Sequence, residues 1–193
     1  MTLSTPPDAF SARLAASDFL ITKRTTIVNG EPTIQFRRAH LSELPEIADF
    51  WLAMFEEIGR NPQRDFPPNW REKFVRYFER RIDAGEAAYF VANDGAKLVG
   101  TAAAILSDGY PSEIHGVSDG YILGVYVLPE YRGRGLATKL TELTVDFLRW
   151  LNVASIRLHA SQFGRSIYER LGFVDANEME LDLAEAPPTY QTM

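Results

Sequence analysis

One continuous stretch, LGVYVLPEYRGRGLATKLTELTVDFLRWL at residues 123–151, constrains this chain more than any other. It reads as an apolar strand, a proline that ends the strand, a loop of alternating arginine and glycine, and an amphipathic helix. Gly133 and Gly135 remove Cβ atoms at the hinge, so backbone amides and the positive end of the helix can converge on an anion. We therefore predict that this loop holds the pyrophosphate of a nucleotide-like cofactor, with a simple glycine-rich turn as the structural alternative.

Two other kinds of phosphate loop do not fit the same residues. A Walker-type loop needs Gly-Lys-Ser/Thr, and the chain has no such string. A dinucleotide fingerprint needs a third glycine or alanine where Thr138 stands, and it normally lies early in a doubly wound sheet. Here the loop lies two-thirds along the chain, which disfavours that interpretation.

The periodicity on either side of this stretch predicts a mixed α/β fold with one late crossover unit. Helical repeats are predicted after Ser42 and after Asn69, ended by Gly59 and Gly85 respectively. The predicted strands lie near 24–28, 33–38, 87–94, 97–106, 121–127, 154–161, Phe173 and 178–183, and a short helix carries FGRSIYERL. We predict an N-terminal arm at 1–31, a domain at 32–183 and a loose tail at 184–193.

Composition removes several classes of function. The net charge of −6 argues against a nucleic-acid binder, and the absence of cysteine excludes a thiolate nucleophile or a cysteine zinc site. The three histidines show no metal-ligand spacing, so no metal is expected. We see neither an apolar run that could span a membrane nor a signal peptide, and a cytoplasmic protein is expected.

Two segments together resemble the GCN5-related N-acetyltransferase (GNAT) family. YVLPEYRGRGLATKL is similar to its acetyl-CoA signature, in which Arg132, Gly135 and Ala137 fill the pattern Arg/Gln-x-x-Gly-x-Gly/Ala. SQFGRSIYERLGF is similar to its fourth-helix signature, in which a tyrosine precedes Leu-Gly-Phe. The resemblance covers roughly residues 33–183 and is strongest from about 120 to 183.

This resemblance implies a twisted mixed sheet of about seven strands flanked by four helices, with the fourth and fifth strands splayed apart to admit the cofactor. The cosubstrate would be acetyl-CoA, without a metal. The residues implied for cofactor binding are Val125, Tyr126, Val127, Arg132, Gly133, Arg134, Gly135, Leu136, Ala137, Thr138 and Ser161. Relatives commonly have Asn in place of Ser161 and Ala in place of Gly164.

The resemblance also implies catalytic roles. Tyr168 matches the tyrosine that protonates the leaving thiolate, although its ring could equally pack in an amphipathic helix. Some relatives use a glutamate as the base on the fourth strand, where this chain has Tyr121. Glu57 and Asp119 are therefore the first candidate bases, and Glu56, His115 and a water chain stay open as alternatives.

The leading functional hypothesis is an N-acetyltransferase that acts on a primary amine of a small molecule or a protein. A non-catalytic acyl-CoA sensor with the same fold is the alternative, and an enzyme that uses a longer acyl-CoA is a third. The acidic charge would attract a cationic amine. No nucleic-acid or membrane partner is expected, and a homodimer is possible.

Overall fold

The computed structural model describes residues 34–60, 66–107 and 118–178. In this part of the chain a five-stranded sheet runs in the order β1-β2-β3-β4-β5. The strands are β1 Ile34–Arg38, β2 Ala87–Asp94, β3 Lys97–Ser107, β4 Asp119–Val127 and β5 Ile156–Arg157. The helices are α1 Leu44–Glu57, α2 Trp70–Asp83, α3 Leu136–Trp150 and α4 Arg165–Arg170. This is the mixed fold with four helices that the sequence predicted.

Strand pairing is antiparallel from β1 to β4 and parallel between β4 and β5. The parallel pairing comprises only Gly120 with Ile156 and Tyr121 with Arg157. In the described register, β4 therefore continues to Val127 without a partner on its β5 side. The two strands part where the resemblance placed the cofactor gap.

The helices cover the two faces of the sheet. On one face α3 packs against β2, β3 and β4 through Phe90, Val99, Ile122, Leu140 and Leu148. On the other face α1 and α2 pack through Leu44, Ile47, Phe74, Phe78 and Tyr89. Side chains alternate between faces along a strand, so β4 serves both cores and carries the site between them.

The described residues form five strands, whereas about seven were predicted for the domain. The strand predicted near Phe173 is irregular, because Gly172 adopts φ +91° and the Phe173 amide donates to the Tyr168 carbonyl (3.0 Å) to close α4. The predicted strand at 154–161 shortens to Ile156–Arg157. The predicted strand at 24–28 and almost all of that at 178–183 lie outside the described residues, as do the arm at 1–31 and the tail at 184–193.

Helix starts also differ in detail from the sequence interpretation. A 3-10 turn, Leu41–Glu43, precedes α1, so Glu43 and not Ser42 is its N-cap residue. The Glu43 carboxylate accepts from the His40 amide (2.7 Å) and pairs with Arg37 (2.6 Å). Asn69 is the N-cap residue of α2 as predicted, although its side chain makes no capping hydrogen bond. Gly59 and Gly85 follow α1 and α2 with positive φ, as expected.

Candidate functional site

A cavity of about 550 Å³ lies between the end of α1, the free part of β4, the loop that leads to α3, and α4. Many of the residues singled out from the sequence line it together: Glu57, Val125, Val127, Arg132, Gly133, Gly135, Leu136, Ala137, Thr138, Ser161 and Tyr168. Segments more than one hundred residues apart therefore meet at one place. Their individual roles stay predictions.

The loop in front of α3 is open where its glycines lie. Gly133 and Gly135 have φ of +74° and +79°, which L-residues rarely adopt, and a Cβ built on either would meet no atom within 4 Å. Gly135 is the N-cap residue of α3, and no side chain caps that helix. The first amides of α3 are thus left without intrahelical partners beside an empty, positively polarised space.

Arg132 joins this loop to α1. Its Nη1 and Nη2 donate to Glu57 Oε1 and Oε2 at 2.8 and 2.6 Å, and its Nε donates to the Val127 carbonyl at 2.9 Å. The guanidinium also lies 5.3 Å from the centre of the Tyr126 ring. Hydrogen bonding from Arg132 lowers the pKa of Glu57, so this carboxylate holds its charge and is a weak proton acceptor in this arrangement.

Arg134 has a different environment. Its guanidinium lies over the Tyr131 ring at 5.3 Å and donates to the Glu130 carbonyl at 3.2 Å. The Glu130 carboxylate itself pairs with Lys97 at 3.0 Å. Arg134 forms no ion pair with any carboxylate in the described ranges, so its positive charge stays uncompensated at the edge of the loop.

Tyr168 lies in the cavity wall on α4 and is only 9% exposed. Burial raises the pKa of its phenol above the ordinary value of about 10, so the group keeps its proton at neutral pH. Its ring lies against the start of α4: a Cβ on Gly164 would come within 2.9 Å of Tyr168 Cε2. The absence of a Cβ at Gly164 thus leaves room for this ring.

Ser161 makes hydrogen bonds within the turn that leads into α4. Its Oγ accepts from the Gly164 amide at 3.2 Å, and its carbonyl accepts from the Gly164 and Arg165 amides, both at 3.1 Å. The side chain therefore stabilises the turn into α4 while it borders the cavity.

Tyr126 faces the other side of the sheet from the neighbouring valines. Its ring packs edge-on to Phe50 of α1, with 6.0 Å between centroids. Only its backbone can serve the role predicted for it. The adjacent Val127 carbonyl already accepts from Arg132, so a ligand that pairs with β4 there would share this acceptor.

Asp119 begins β4, at the end of the strand away from the cavity. It accepts from Ser155 Oγ at 2.7 Å and lies 3.5 Å from the Arg157 guanidinium. Asp119 lies six positions before Val125 on the strand, a span of roughly 20 Å. Its role as a base stays a prediction, and neither the distance nor the two partners supports it.

The structure also brings together Tyr121 and His159, which sequence reasoning did not join. The Tyr121 hydroxyl and His159 Nδ1 are hydrogen-bonded, and the two rings lie edge to face. Tyr121 stands where some relatives have a glutamate, and His159 follows β5 just where the two strands part. The sequence contained one indication of this position. In the extended segment RLHAS side chains alternate between faces, so His159 lies on the same face as Arg157.

Beside the cavity, aromatic side chains pack together between α1 and α2. Trp51 stacks on Phe66 with 5.9 Å between centroids and contacts Phe55 at 4.8 Å and Phe74 at 5.3 Å. Trp51 also lies behind Gly124 of β4, where a Cβ would meet Trp51 Cδ1 at 3.2 Å.

Other kinds of site find no support in the described ranges. No group of three or more His, Cys, Asp or Glu that could hold a metal ion occurs there. In the same ranges, no helix combines the length and the apolar character needed to cross a bilayer.

Comparisons with known proteins agree with this geometry. The chain is 29% identical over 123 residues to N-alpha-acetyltransferase 30 of Schizosaccharomyces pombe, covering 61% of this chain and 76% of that protein. A crystal structure of a predicted acetyltransferase with acetyl-CoA from Clostridium acetobutylicum superposes with a TM-score of 0.70 at 26% identity, covering 79% of this chain and 98% of that one. Glucosamine-6-phosphate N-acetyltransferase from Arabidopsis thaliana shares the fold with a TM-score of 0.59 at 18% identity, over 78% and 97% of the two chains.

The family match covers the site itself. The model of the Acetyltransferase (GNAT) family matches residues 55–173, a range that runs from the end of α1 to just beyond α4 and includes every cavity-lining residue except Met54. This range is more than half of the 193 residues, and the chain belongs to the GNAT acetyltransferase family.

Proposed function

We propose that the protein transfers an acetyl group from acetyl-CoA to a primary amine of a small molecule or a protein, in one ternary complex. The observation that carries this proposal is the single cavity shared by the glycine loop, the unpaired edge of β4 and Tyr168. The open space at Gly133 and Gly135 fits a diphosphate that approaches backbone closely. When bound, acetyl-CoA supplies the activated thioester.

Tyr168 is proposed to act as the general acid. In the reaction the amine nitrogen bonds to the acetyl carbon, the carbon–sulfur bond breaks, and the leaving sulfur takes a proton. Tyr168 is protonated and buried in the cavity wall, so it can donate that proton. Backbone amides of β4, near Val125, are proposed to stabilise negative charge as it develops on the acetyl oxygen.

His159 is proposed to take the proton from the amine. If Nδ1–H donates to the Tyr121 oxygen, the lone pair on Nε2 is free to accept a proton. Glu57 and Asp119 stay in the set of candidate bases, but Glu57 is paired with Arg132 and Asp119 lies at the far end of β4. Tyr121 would be the positioning residue.

The acceptor is proposed from the relatives. Similarity to N-alpha-acetyltransferase 30 favours the α-amine of a peptide as the first acceptor class to test. The same fold serves a glucosamine-6-phosphate enzyme, so the fold alone does not select an acceptor. The decisive experiment measures free thiol release from acetyl-CoA with a panel of peptides, amino sugars and polyamines. Turnover with one class supports the proposal, whereas tight CoA binding without turnover on any amine would favour the sensor.

His159→Gln tests the base. Glutamine keeps a hydrogen bond to Tyr121 but has no basic nitrogen, so kcat/KM should fall about 100-fold while acetyl-CoA affinity stays unchanged. His40→Gln, in the exposed turn before α1, is the matched control and should leave both quantities unchanged. An unaltered kcat/KM in the His159 variant would remove this residue from the mechanism.

A further inference from the structure

Arg132 lines the cavity, but its guanidinium is already engaged by groups of α1 and β4. Its guanidinium is held by the two Glu57 oxygens at 2.8 and 2.6 Å, its Nε by the Val127 carbonyl at 2.9 Å, and its plane by Tyr126. Four contacts thus join this side chain to α1 and β4. An arginine fixed in this way can reach a phosphate only by giving up its bidentate carboxylate partner.

The negative charge of Glu57 disfavours binding of an anion in the cavity. Its carboxylate lines the same cavity as Gly133 and Gly135. A negative charge there would repel a diphosphate unless a cation compensates it, and the low pKa means that protonation does not do so at neutral pH. The side chains of Glu57 and Arg132 are 32% and 42% exposed, so salt weakens the repulsion without removing it.

The environment of Arg134 differs from that of Arg132. It is two residues further along the same loop, and in the described part of the chain its charge is not cancelled by a carboxylate. The two arginines that look equivalent in the sequence therefore differ in net electrostatic effect. Arg132 forms a neutral pair with Glu57, whereas Arg134 adds a positive charge.

From this difference we infer that Arg132 serves the diphosphate site indirectly, by neutralising Glu57 and fastening the loop to α1, while Arg134 provides the attraction. This inference rests on the proposed function, because the anion it invokes is the diphosphate of CoA. It makes Glu57 and Arg132 one positioning unit that links the end of α1 to the cofactor loop.

The experiment is a set of CoA affinities, measured by calorimetry on the full chain with CoA itself as the probe. Arg132→Met should weaken binding about tenfold, because Glu57 is left uncompensated, and the deficit should shrink as salt rises from about 50 to 500 mM. Glu57→Gln alone should bind CoA at least as tightly as the wild type. The double variant Arg132→Met/Glu57→Gln should return to within about threefold of the wild type.

Arg134→Met is the matched control. It should also weaken CoA binding about tenfold. Adding Glu57→Gln to this variant should not return its CoA affinity to that of the wild type. If Arg132 touches the phosphates directly, or if its loss only disrupts the loop, the Arg132→Met/Glu57→Gln variant will bind as weakly as Arg132→Met, and the inference is overturned. Should Arg132→Met fail to fold, Arg132→Gln replaces it in both variants. Absence of CoA binding by the wild type would instead defeat the proposed function.

Discussion

The cavity and the aromatic cluster beside it are built differently. Around the glycine loop the cavity is made largely of backbone: two glycines at positive φ with open space around them, and the uncapped start of α3. The cluster between α1 and α2 is made of side chains, in which Trp51, Phe55, Phe66 and Phe74 pack with ring centroids 4.8–5.9 Å apart. The first region leaves open space, whereas the second is filled by its own rings.

This difference predicts how each region responds to substitution. A site made of backbone fails when a side chain is added, since nothing can move aside to restore the amides. A cluster of packed rings tolerates the loss of one polar atom, because the neighbouring apolar surface still fills the space. The following substitutions test that contrast, beginning with the largest expected effect.

Gly135→Asp should abolish CoA binding. The new carboxylate would stand in the open space beside the helix start, and like charges about 4 Å apart near a protein surface repel by about 4 kcal/mol. That energy corresponds to roughly a 1,000-fold weaker affinity, measurable by calorimetry. Gly95→Asp is the control: it has φ +57° and equally open surroundings, but it lies in the β2–β3 turn. If both variants bind CoA normally, the loop assignment is wrong.

Tyr168→Phe should lower kcat about 100-fold with little change in CoA affinity, because a general acid acts chiefly in the transition state. The raised pKa of this phenol sets the direction of the pH dependence: the group stays protonated, and able to donate, up to a pH above about 10. In the wild type, any loss of activity from its deprotonation should therefore begin only there, and the variant should lack that limb. Wild-type turnover by the variant would exclude Tyr168 as the acid.

The conformation of the glycine loop was predictable from sequence because its constraints are local. Gly133, Gly135 and the helix that follows lie within one short segment, and a positive φ favours glycine whatever the rest of the chain does. The short helix that carries Tyr168 was predictable for a similar reason, since its motif ends at Gly172, and the role of Tyr168 stays a prediction. The order of helices and strands followed from hydrophobic periodicity.

Pairs between distant segments were not predictable. Glu57 meets Arg132, and Tyr121 meets His159, only because strand register and helix packing bring them together. The contact of Gly164 with the Tyr168 ring is a matter of rotamer, which spacing does not reveal. Phe173 looked like a strand residue by composition, but Gly172 directs it into the closing turn of α4.

The smallest effect is expected when a tyrosine hydroxyl is removed from the aromatic cluster between α1 and α2. Tyr89 is 1% exposed, and its hydroxyl makes no hydrogen bond to any described residue. A buried hydroxyl without a partner costs about 1–3 kcal/mol of desolvation, so Tyr89→Phe should raise the free energy of unfolding by about 1 kcal/mol, measured by urea denaturation. Because the ring still packs against Phe74 and Phe78, kcat and CoA affinity should not change.

Tyr89→Phe and Tyr168→Phe each remove a hydroxyl from a buried ring, one in the aromatic cluster between α1 and α2 and the other in the cavity wall. If the contrast holds, one variant loses turnover at constant stability and the other gains stability at constant turnover. A rise in the acceptor KM of Tyr89→Phe, with CoA affinity intact, would contradict this. It would mean that the hydroxyl beside Trp51 and Gly124 meets the acceptor, and that the aromatic cluster recognises substrate through a polar atom as well as by shape.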